Sequence, residues 1–531
     1  MNSDASDAAC NQEADESRNN AAGDAHQPST ESCLREVKLG QGLEDRELVF
    51  GLVGAVGSEP RKIAEILANR LRVSGYEVSQ VHISQDVIPQ VAVKPLPGKD
   101  EYDRISTMMD AGNEARRRSA DNSILALGAA SWISSHRGGE NESPKYRPRH
   151  AYIINSLKHP DEVLRLREIY TEGFYLIGVH SDDERRQRYL VDEKRISPEK
   201  ALELMLRDQD EHLPHGQQVA DTFHLSDFFI RIEDDDDRLK HDLWRILDIL
   251  FGDPYKTPIF DEYAMFLAFA ASVRSADLSR QVGAVIAKDQ EIIATGANDC
   301  PRYGGGLYWP KFDKETKSIK DTEGGRDYTR GGDSNKLEQQ KIIDEILEKA
   351  AQKGIDKQAL REALEGSRIR DLTEFGRVVH AEMEALLSCA RNNLSARNGT
   401  LYCTTFPCHN CAKHIIAAGI KRVVYIEPYQ KSKAAEFHQD CVRVGFGDGK
   451  HHVRFEPFVG VGPRRFFDLF SLHLGSGNEL RRKDKEGRVV PWKPEDAHPR
   501  LQLLPCSYLD LELVASDMFN KARIKENTDG R

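Results

Sequence analysis

The sequence predicts an α/β protein made of two successive α/β units, and three observations carry that expectation. A buried strand runs into a glycine turn and then an amphipathic helix near the start of the ordered chain; short apolar runs alternate with helical patterns as far as Leu250; and a second alternation runs from Asp261 to Ile426 around a long polar stretch. Apolar strands separated by helical patterns are the signature of a mostly parallel sheet. With ~150 residues per domain as a guide, 531 residues accommodate two to four domains.

In order, Glu47-Leu-Val-Phe-Gly-Leu-Val is the first strand, Gly51-Leu-Val-Gly-Ala-Val-Gly-Ser58 the turn, and Ile63, Ile66, Leu67 and Leu71 one face of the helix. Gly75-Tyr-Glu-Val opens a second strand, and the apolar run 124–130 takes its place in the series after a basic helix. Ala151-Tyr-Ile-Ile-Asn is a strand leading to a helix from Asp161, and 174–179 is another strand. Residues 185–210 read as helical and charged, Phe228-Phe-Ile-Arg-Ile as the last strand, and 239–250 as the closing helix. Gly252-Asp-Pro254 and Pro258 mark a linker. The second unit opens with an apolar helix at 261–273 and a hairpin, 282–287 and 291–295, turning at Asp289-Gln290. A polar insertion over about 301–374 holds one helix at 336–350. Then come a helix from His380, a strand at 400–403, a helix at 407–418 and a strand at 422–426. The expected domains are a disordered acidic tail at 1–45, units at 46–253 and 258–475, and a C-terminal tail at 476–531 with a short ordered element near 501–515.

The 75 basic against 86 acidic side chains give a net charge of −11, which argues against a broad basic surface for polynucleotide. Residues 1–42 hold eight acidic and three basic side chains, so nearly half of that surplus belongs to the head and the folded part is only mildly acidic. No apolar run reaches the ~18 residues that span a bilayer, and the N-terminus is polar; neither a membrane anchor nor a secretory leader is expected. Nine scattered cysteines do not make a disulfide framework, so a reducing, cytoplasmic setting is expected, with Cys408-x-x-Cys411 as a metal or redox pair.

Strand, glycine turn and helix form a setting in which backbone N–H groups cradle phosphate. Gly51, Gly54, Gly57 and Ser58 are the candidate nucleotide-binding residues. A phosphate loop of the form GxxxxGK[ST] needs glycine, lysine and a hydroxyl where this chain has Glu59, Pro60 and Arg61, with Lys62 displaced by two positions. Phosphoryl transfer has lost its parts. The alternative is a turn that uses glycine only for close packing. Ile154-Asn-Ser-Leu-Lys-His-Pro-Asp-Glu-Val, and Asp221-Thr-Phe with Ser226-Asp-Phe-Phe-Ile, resemble segments of P-loop nucleotide kinases, which implies a degenerate P-loop kinase-like domain.

The sharpest motif is His380-Ala-Glu382 with Pro407-Cys408-His-Asn-Cys411. One imidazole and two thiolates supply three ligands to a tetrahedral zinc, whose fourth position takes a water acidified towards a pKa of about 7. Glu382 then shuttles protons without binding the metal; this is the zinc nucleobase deaminase pattern. A structural zinc knuckle using Cys403 or His409 as fourth ligand is the alternative. Around this core, Asn298 is a candidate for the sugar, or a turn residue before Pro301. Arg274, Ser279 and Arg280 are candidates for phosphate or a solvated loop, and Lys431 and Lys433 pose the same choice. Tyr429 suits base stacking or core packing; Cys389 reads as packing, and Cys300 and Cys441 as loop or core.

Phe266-Leu-Ala-Phe-Ala-Ala, Arg274-Ser275, Gln281-Val-Gly-Ala-Val-Ile, Asn298, His380-Ala-Glu, Tyr402-Cys-Thr-Thr-Phe-Pro-Cys-His-Asn-Cys and Gly419-Ile-Lys-Arg-Val-Val-Tyr together resemble the deoxycytidylate deaminases over about 261–429. The resemblance implies a cytidine-deaminase-like three-layer α/β/α domain, Zn2+ on His380, Cys408 and Cys411, Glu382 as proton shuttle, and Asn298 on the sugar. Behind a kinase-like domain, the whole chain is similar to bacterial anti-phage dCTP deaminases. That implies conversion of dCTP and dCMP to dUTP and dUMP, control by a regulatory nucleotide or small RNA, and a homo-oligomer. Two departures stand out: Glu384 replaces an asparagine usual in the monophosphate enzymes, and the insertion is longer. A tRNA or single-stranded DNA deaminase, and a nucleotide-sensing module on a deaminase-like scaffold, remain as alternatives.

Overall fold

Residues Leu48–Gly54 (β1) are apolar almost throughout because both faces of the strand are covered. The structure, a computed structural model, describes residues 47–93, 100–137, 147–209, 215–365, 367–429, 432–446, 451–473, 480–485 and 487–501, with 512, 516 and 519–521 besides. The acidic head and Lys431 lie outside the described residues.

After β1 come Pro60–Val73 (α1), Glu77–His82 (β2), Glu101–Ser119 (α2), Ile124–Arg137 (α3), His150–Leu157 (β3), Pro160–Tyr170 (α4), Phe174–His180 (β4), Asp183–Arg188 (α5), Pro198–Gln209 (α6), Phe228–Arg231 (β5) and Asp236–Leu250 (α7). The strands run parallel in the order β2-β3-β1-β4-β5. Phe50, Leu52, Ile153 and Ile177 pack with α1 and α7 on one face, while Val49, Tyr152, Ile154 and Leu176 pack with α3 and α4 on the other.

Two expectations change here. The run 124–130 is helical: buried on every side, it shows neither alternation nor a stripe, and its alanines and leucines favour helix. The pattern over 185–210 is not one helix but α5, a π-helical turn at Tyr189–Glu193, and α6, which restarts at Pro198.

The second sheet follows Phe260–Ser272 (α8) and comprises Gly283–Lys288 (β6), Glu291–Ala297 (β7), Thr400–Thr405 (β10), Arg422–Glu427 (β11), Val442–Val444 (β12) and Val453–Pro457 (β13). Its order is β12-β13-β11-β10-β6-β7. The β6–β7 hairpin turns at Asp289 and Gln290, both with positive φ (51° and 62°), as a two-residue turn requires. Ala264, Met265 and Ala268 of α8 cover one face. Ala381–Arg391 (α11) and His409–Ala417 (α12) cover the other, giving three α/β/α layers.

The insertion carries Lys311–Asp313 (β8) paired with Ser318–Lys320 (β9), the expected helix as Ser334–Ala351 (α9), and an unexpected one, Lys357–Glu365 (α10). Beyond β13 the chain returns to the first sheet: Gly460–Val461 (β14) pairs antiparallel with β5. Leu469, Ala497 and Leu501 join its core, so residues read as tail supply apolar packing. Among the described residues, no helix is long and apolar enough to cross a membrane.

Candidate active site

The H-x-E and C-x-x-C motifs meet at the N-termini of two helices. His380 is the N-cap of α11 (φ −67°, ψ 152°) and Cys408 that of α12 (φ −66°, ψ 163°), with Cys411 in the next turn. Both positive helix ends face the cluster, which favours thiolate. Gly296 in β7 allows α11 to sit this close: a Cβ there would lie 2.1 Å from the carbonyl oxygen of Ala381.

His380 Nδ1 is 3.4 Å from each of Cys408 Sγ and Cys411 Sγ, and the three ligand atoms lie within 4.8 Å of one another. Zinc bonds of about 2.0 Å to nitrogen and about 2.3 Å to sulfur set tetrahedral ligands about 3.5 Å apart, so the donor set fits zinc. A hydrogen bond from Cys411 and the neighbouring His380 draw the Cys408 thiol down to about 4, and in return the Cys408 thiolate pushes His380 up to about 9. Among the described residues this cluster contains three ligands and neither Cys403 nor His409. Cys403 is buried in β10, and His409 packs edge-on against Phe437. Three protein donors are the set of a catalytic rather than a structural zinc.

Glu382 lies in the first turn of α11, 4% exposed, beside the charges of His380 and Cys408. Burial raises its carboxyl above the usual range, against the pull of His380. A carboxyl so tuned suits proton transfer near neutral pH.

The remaining candidates divide. The Asn298 side chain is mostly engaged by backbone: Oδ1 accepts from Val282 N–H at 2.7 Å and Nδ2 donates to the Arg280 carbonyl at 2.8 Å. It shapes the loop before β6. Asp277, a residue the motif reading passed over, accepts from the N–H groups of Ser279 (2.8 Å) and Arg280 (3.0 Å) and so fixes the turn of that loop. Arg280 reaches Glu427 Oε1 at 3.3 Å and lies 5.7 Å from the Tyr429 ring, so Arg280 and Tyr429 do come together, with Thr405 on the other oxygen of Glu427 at 2.9 Å. Lys433 pairs with Glu436 on the surface at 2.6 Å.

Arg274 is engaged by the insertion. It donates to the Tyr308 carbonyl at 2.8 Å, and its guanidinium stacks 3.7 Å from the Trp309 ring, both in the insertion. Arg326 ties the same segment to Asp299 at 3.0 Å, and Arg377 binds Asp327 at 2.8 Å. The ends of the insertion are joined by reciprocal N–H···O bonds between Asp299 and Val379, one residue before His380. Glu384 pairs with Arg391 on α11, and Arg391 in turn lies against Gly305. Cys389 is core packing as expected; Cys300 is buried beside Asp327, and Cys441 borders Asp440.

At the glycine turn, Gly51 is a mid-strand packing position, where a Cβ would meet Leu157 and Phe174 at 2.7 and 2.8 Å. Gly57 takes φ 87° against Arg186, and Ser58 is buried. The turn already holds an anion of its own: the Val56 N–H donates to Asp208 Oδ2 at 2.6 Å. Lys62 pairs with Asp236 instead.

Residues 258–427 match the family model of the cytidine and deoxycytidylate deaminase zinc-binding region. The chain is 33% identical over 167 residues to the deoxycytidylate deaminase of Enterobacteria phage T4, covering 32% of this chain and 77% of that one. It is 29% identical over 231 residues to the deoxycytidylate deaminase of Saccharomyces cerevisiae, 42% of this chain and 57% of that one. Among solved structures, the dCMP deaminase of cyanophage S-TIM5 in complex with dCMP and dUMP aligns at 21% identity over 38% of this chain and all of that one, with a TM-score of 0.22.

Proposed function

The chain belongs to the deoxycytidylate deaminase family, and from that premise we propose that it is a zinc-dependent hydrolase removing the exocyclic amine of deoxycytidine nucleotides, dCMP and dCTP. One observation carries the reading: three zinc-ligating atoms on two helix N-termini, with the buried carboxyl of Glu382 in the first turn of the helix that His380 caps. His380, Cys408 and Cys411 hold the metal, which supplies, when bound, the acidity that makes water a nucleophile near neutral pH. Glu382 takes one proton from the attacking water and delivers it to the ring nitrogen N3, then carries the second, from the hydroxyl now on C4, to the departing amine. Asn298 and Asp277 hold the loop that carries Arg280. The Arg280 guanidinium, half exposed at the rim, receives the 5′-phosphate, and Tyr429 lies beneath it. Ammonia and the deoxyuridine nucleotide are the products.

Residues 46–253 are read as a degenerate kinase-like domain, which the parallel order β2-β3-β1-β4-β5 supports, and 258–475 as the deaminase domain. In the cytoplasm, as a homo-oligomer, the protein lowers the dCTP pool against phage replication, held in check by a nucleotide or small RNA. Purified zinc-loaded protein incubated with dCMP, dCTP, CTP and single-stranded DNA tests the reading. Ammonia release from the two deoxynucleotides, and its loss in Glu382→Gln, is the expected result. Deamination of the DNA alone overturns it in favour of a polynucleotide deaminase.

A further inference from the structure

The first unit holds a cavity lined by cationic side chains, away from both the zinc site and the glycine turn. A cavity of about 450 Å³ opens between the start of α2 and the start of α6. Its size is in the range that takes a small ligand. Lys194, Arg195 and Lys200 line it together with Tyr102, and no described carboxylate lies within ion-pair distance of any of the three cations. Asp100 and Glu101 also line the cavity, so its three cations face two carboxylates, and Glu101 feels the Lys194 charge; each of the two is also engaged on its own helix. Glu101 binds Arg104 through Nε and Nη2 at 3.0 and 2.8 Å, Asp100 caps α2 by accepting from the Asp103 N–H at 2.8 Å, and Glu203 is bonded to the Tyr102 hydroxyl. Lys194 rests near the Tyr189 ring at 5.7 Å and Lys200 over Tyr102 at 4.3 Å, so both ammonium groups are positioned without being neutralised.

The glycine turn cannot serve in its place. Asp208, at the far end of α6, is fully buried against it, bonded to the Val56 N–H and to Lys158. An incoming phosphate would have to displace an internal carboxylate that is already paired.

We infer that the cavity between α2 and α6 is a binding site for a phosphorylated small molecule of nucleotide size, its phosphates on Lys194, Arg195 and Lys200 and its ring on Tyr102. This site is independent of the deaminase reading, since no residue of the zinc cluster contributes to it.

Titration calorimetry on the full, zinc-loaded chain with inorganic tripolyphosphate and with ATP tests it. One saturable tripolyphosphate site is expected. Half-buried Lys194 and exposed Lys200 are replaced together (K194A/K200A), which should weaken binding about tenfold or more with the melting temperature unchanged. Arg280→Ala, at the deaminase rim, should leave the binding intact. ATP should bind more tightly than tripolyphosphate, and Tyr102→Ala should remove that difference. Absence of saturable binding, binding indifferent to K194A/K200A, or binding lost in Arg280→Ala each overturns the assignment.

Discussion

Lys158 donates from Nζ to Asp208 Oδ1 at 2.8 Å and to the carbonyl oxygen of Gly54 at 2.9 Å. A lysine from the end of β3 and a carboxylate from α6 thus complete the glycine turn from within, each satisfying the other. An ammonium and a backbone N–H group surround an anion here, and the anion belongs to the protein.

Asp208→Ala should therefore lower the unfolding free energy by about 3 kcal/mol, because it strands a buried ammonium. Asp208→Asn should cost less, since its amide oxygen still accepts from Lys158. Urea unfolding of the two variants measures the difference, and equal stability of Asp208→Ala and wild type would contradict the arrangement.

Glu382→Gln keeps the shape of the side chain and removes its proton. Deamination of dCMP and dCTP should fall by about a thousandfold, within the range for a lost general acid–base group. Zinc content and melting temperature should stay at the native values, which separates a chemical defect from a folding one.

Cys411→Ser and His380→Ala should each abolish zinc retention, read by metal analysis after dialysis, and activity with it. The fold should survive, because α11 and α12 are held by the apolar layer of Ala385, Ala412 and Ile415 against the sheet and not by the metal alone. Chelation of the wild type should be reversible on adding zinc.

Arg274 serves the insertion. Arg274→Ala removes a bond to Tyr308 and a stacked contact with Trp309, together worth about 1–2 kcal/mol. Limited proteolysis should then cut within 301–374 several times faster, and KM for the nucleotide should rise more than kcat falls.

Asp261 joins three elements of the second unit, accepting from Tyr402 at 2.6 Å and from Arg422 at 3.0 and 2.7 Å. Burial alone would raise its carboxyl, but the bonds from Arg422 and Tyr402 outweigh it and hold the group below its ordinary value. A carboxyl depressed in the folded state contributes stability above its unfolded pKa of about 3.9 and loses it as pH falls through the folded value. Asp261→Asn should cost about 2 kcal/mol at pH 7, and thermal melts should show the gap between variant and wild type closing below about pH 4.

The zinc ligands and Glu382 were legible in the sequence because their spacing is local. Cys408 and Cys411 share one helical turn, and Glu382 follows His380 by two residues; only the meeting of the two segments needed a fold. The hairpin at Asp289-Gln290 and the insertion were legible for the same reason, as turn chemistry and polarity are written residue by residue. The run 124–130 was not, since a segment buried on all sides has no period to read. Strands as short as β12 and β14 carry too few residues to alternate.

By itself, the sequence determined the chemistry of the metal site, the α/β character of both halves and the absence of a phosphate-loop lysine after the glycine turn. Each of these follows from residue types within a few positions of one another. Tertiary structure alone decided which charges pair across long separations. Asp208 closes the turn from about 150 residues away, Arg274 stacks on Trp309, and Ala497 and Leu501 return to the first core. Ion pairs and apolar contacts form between whichever groups the folded backbone brings together. Their partners are set by the arrangement of sheets and helices, which no local pattern records.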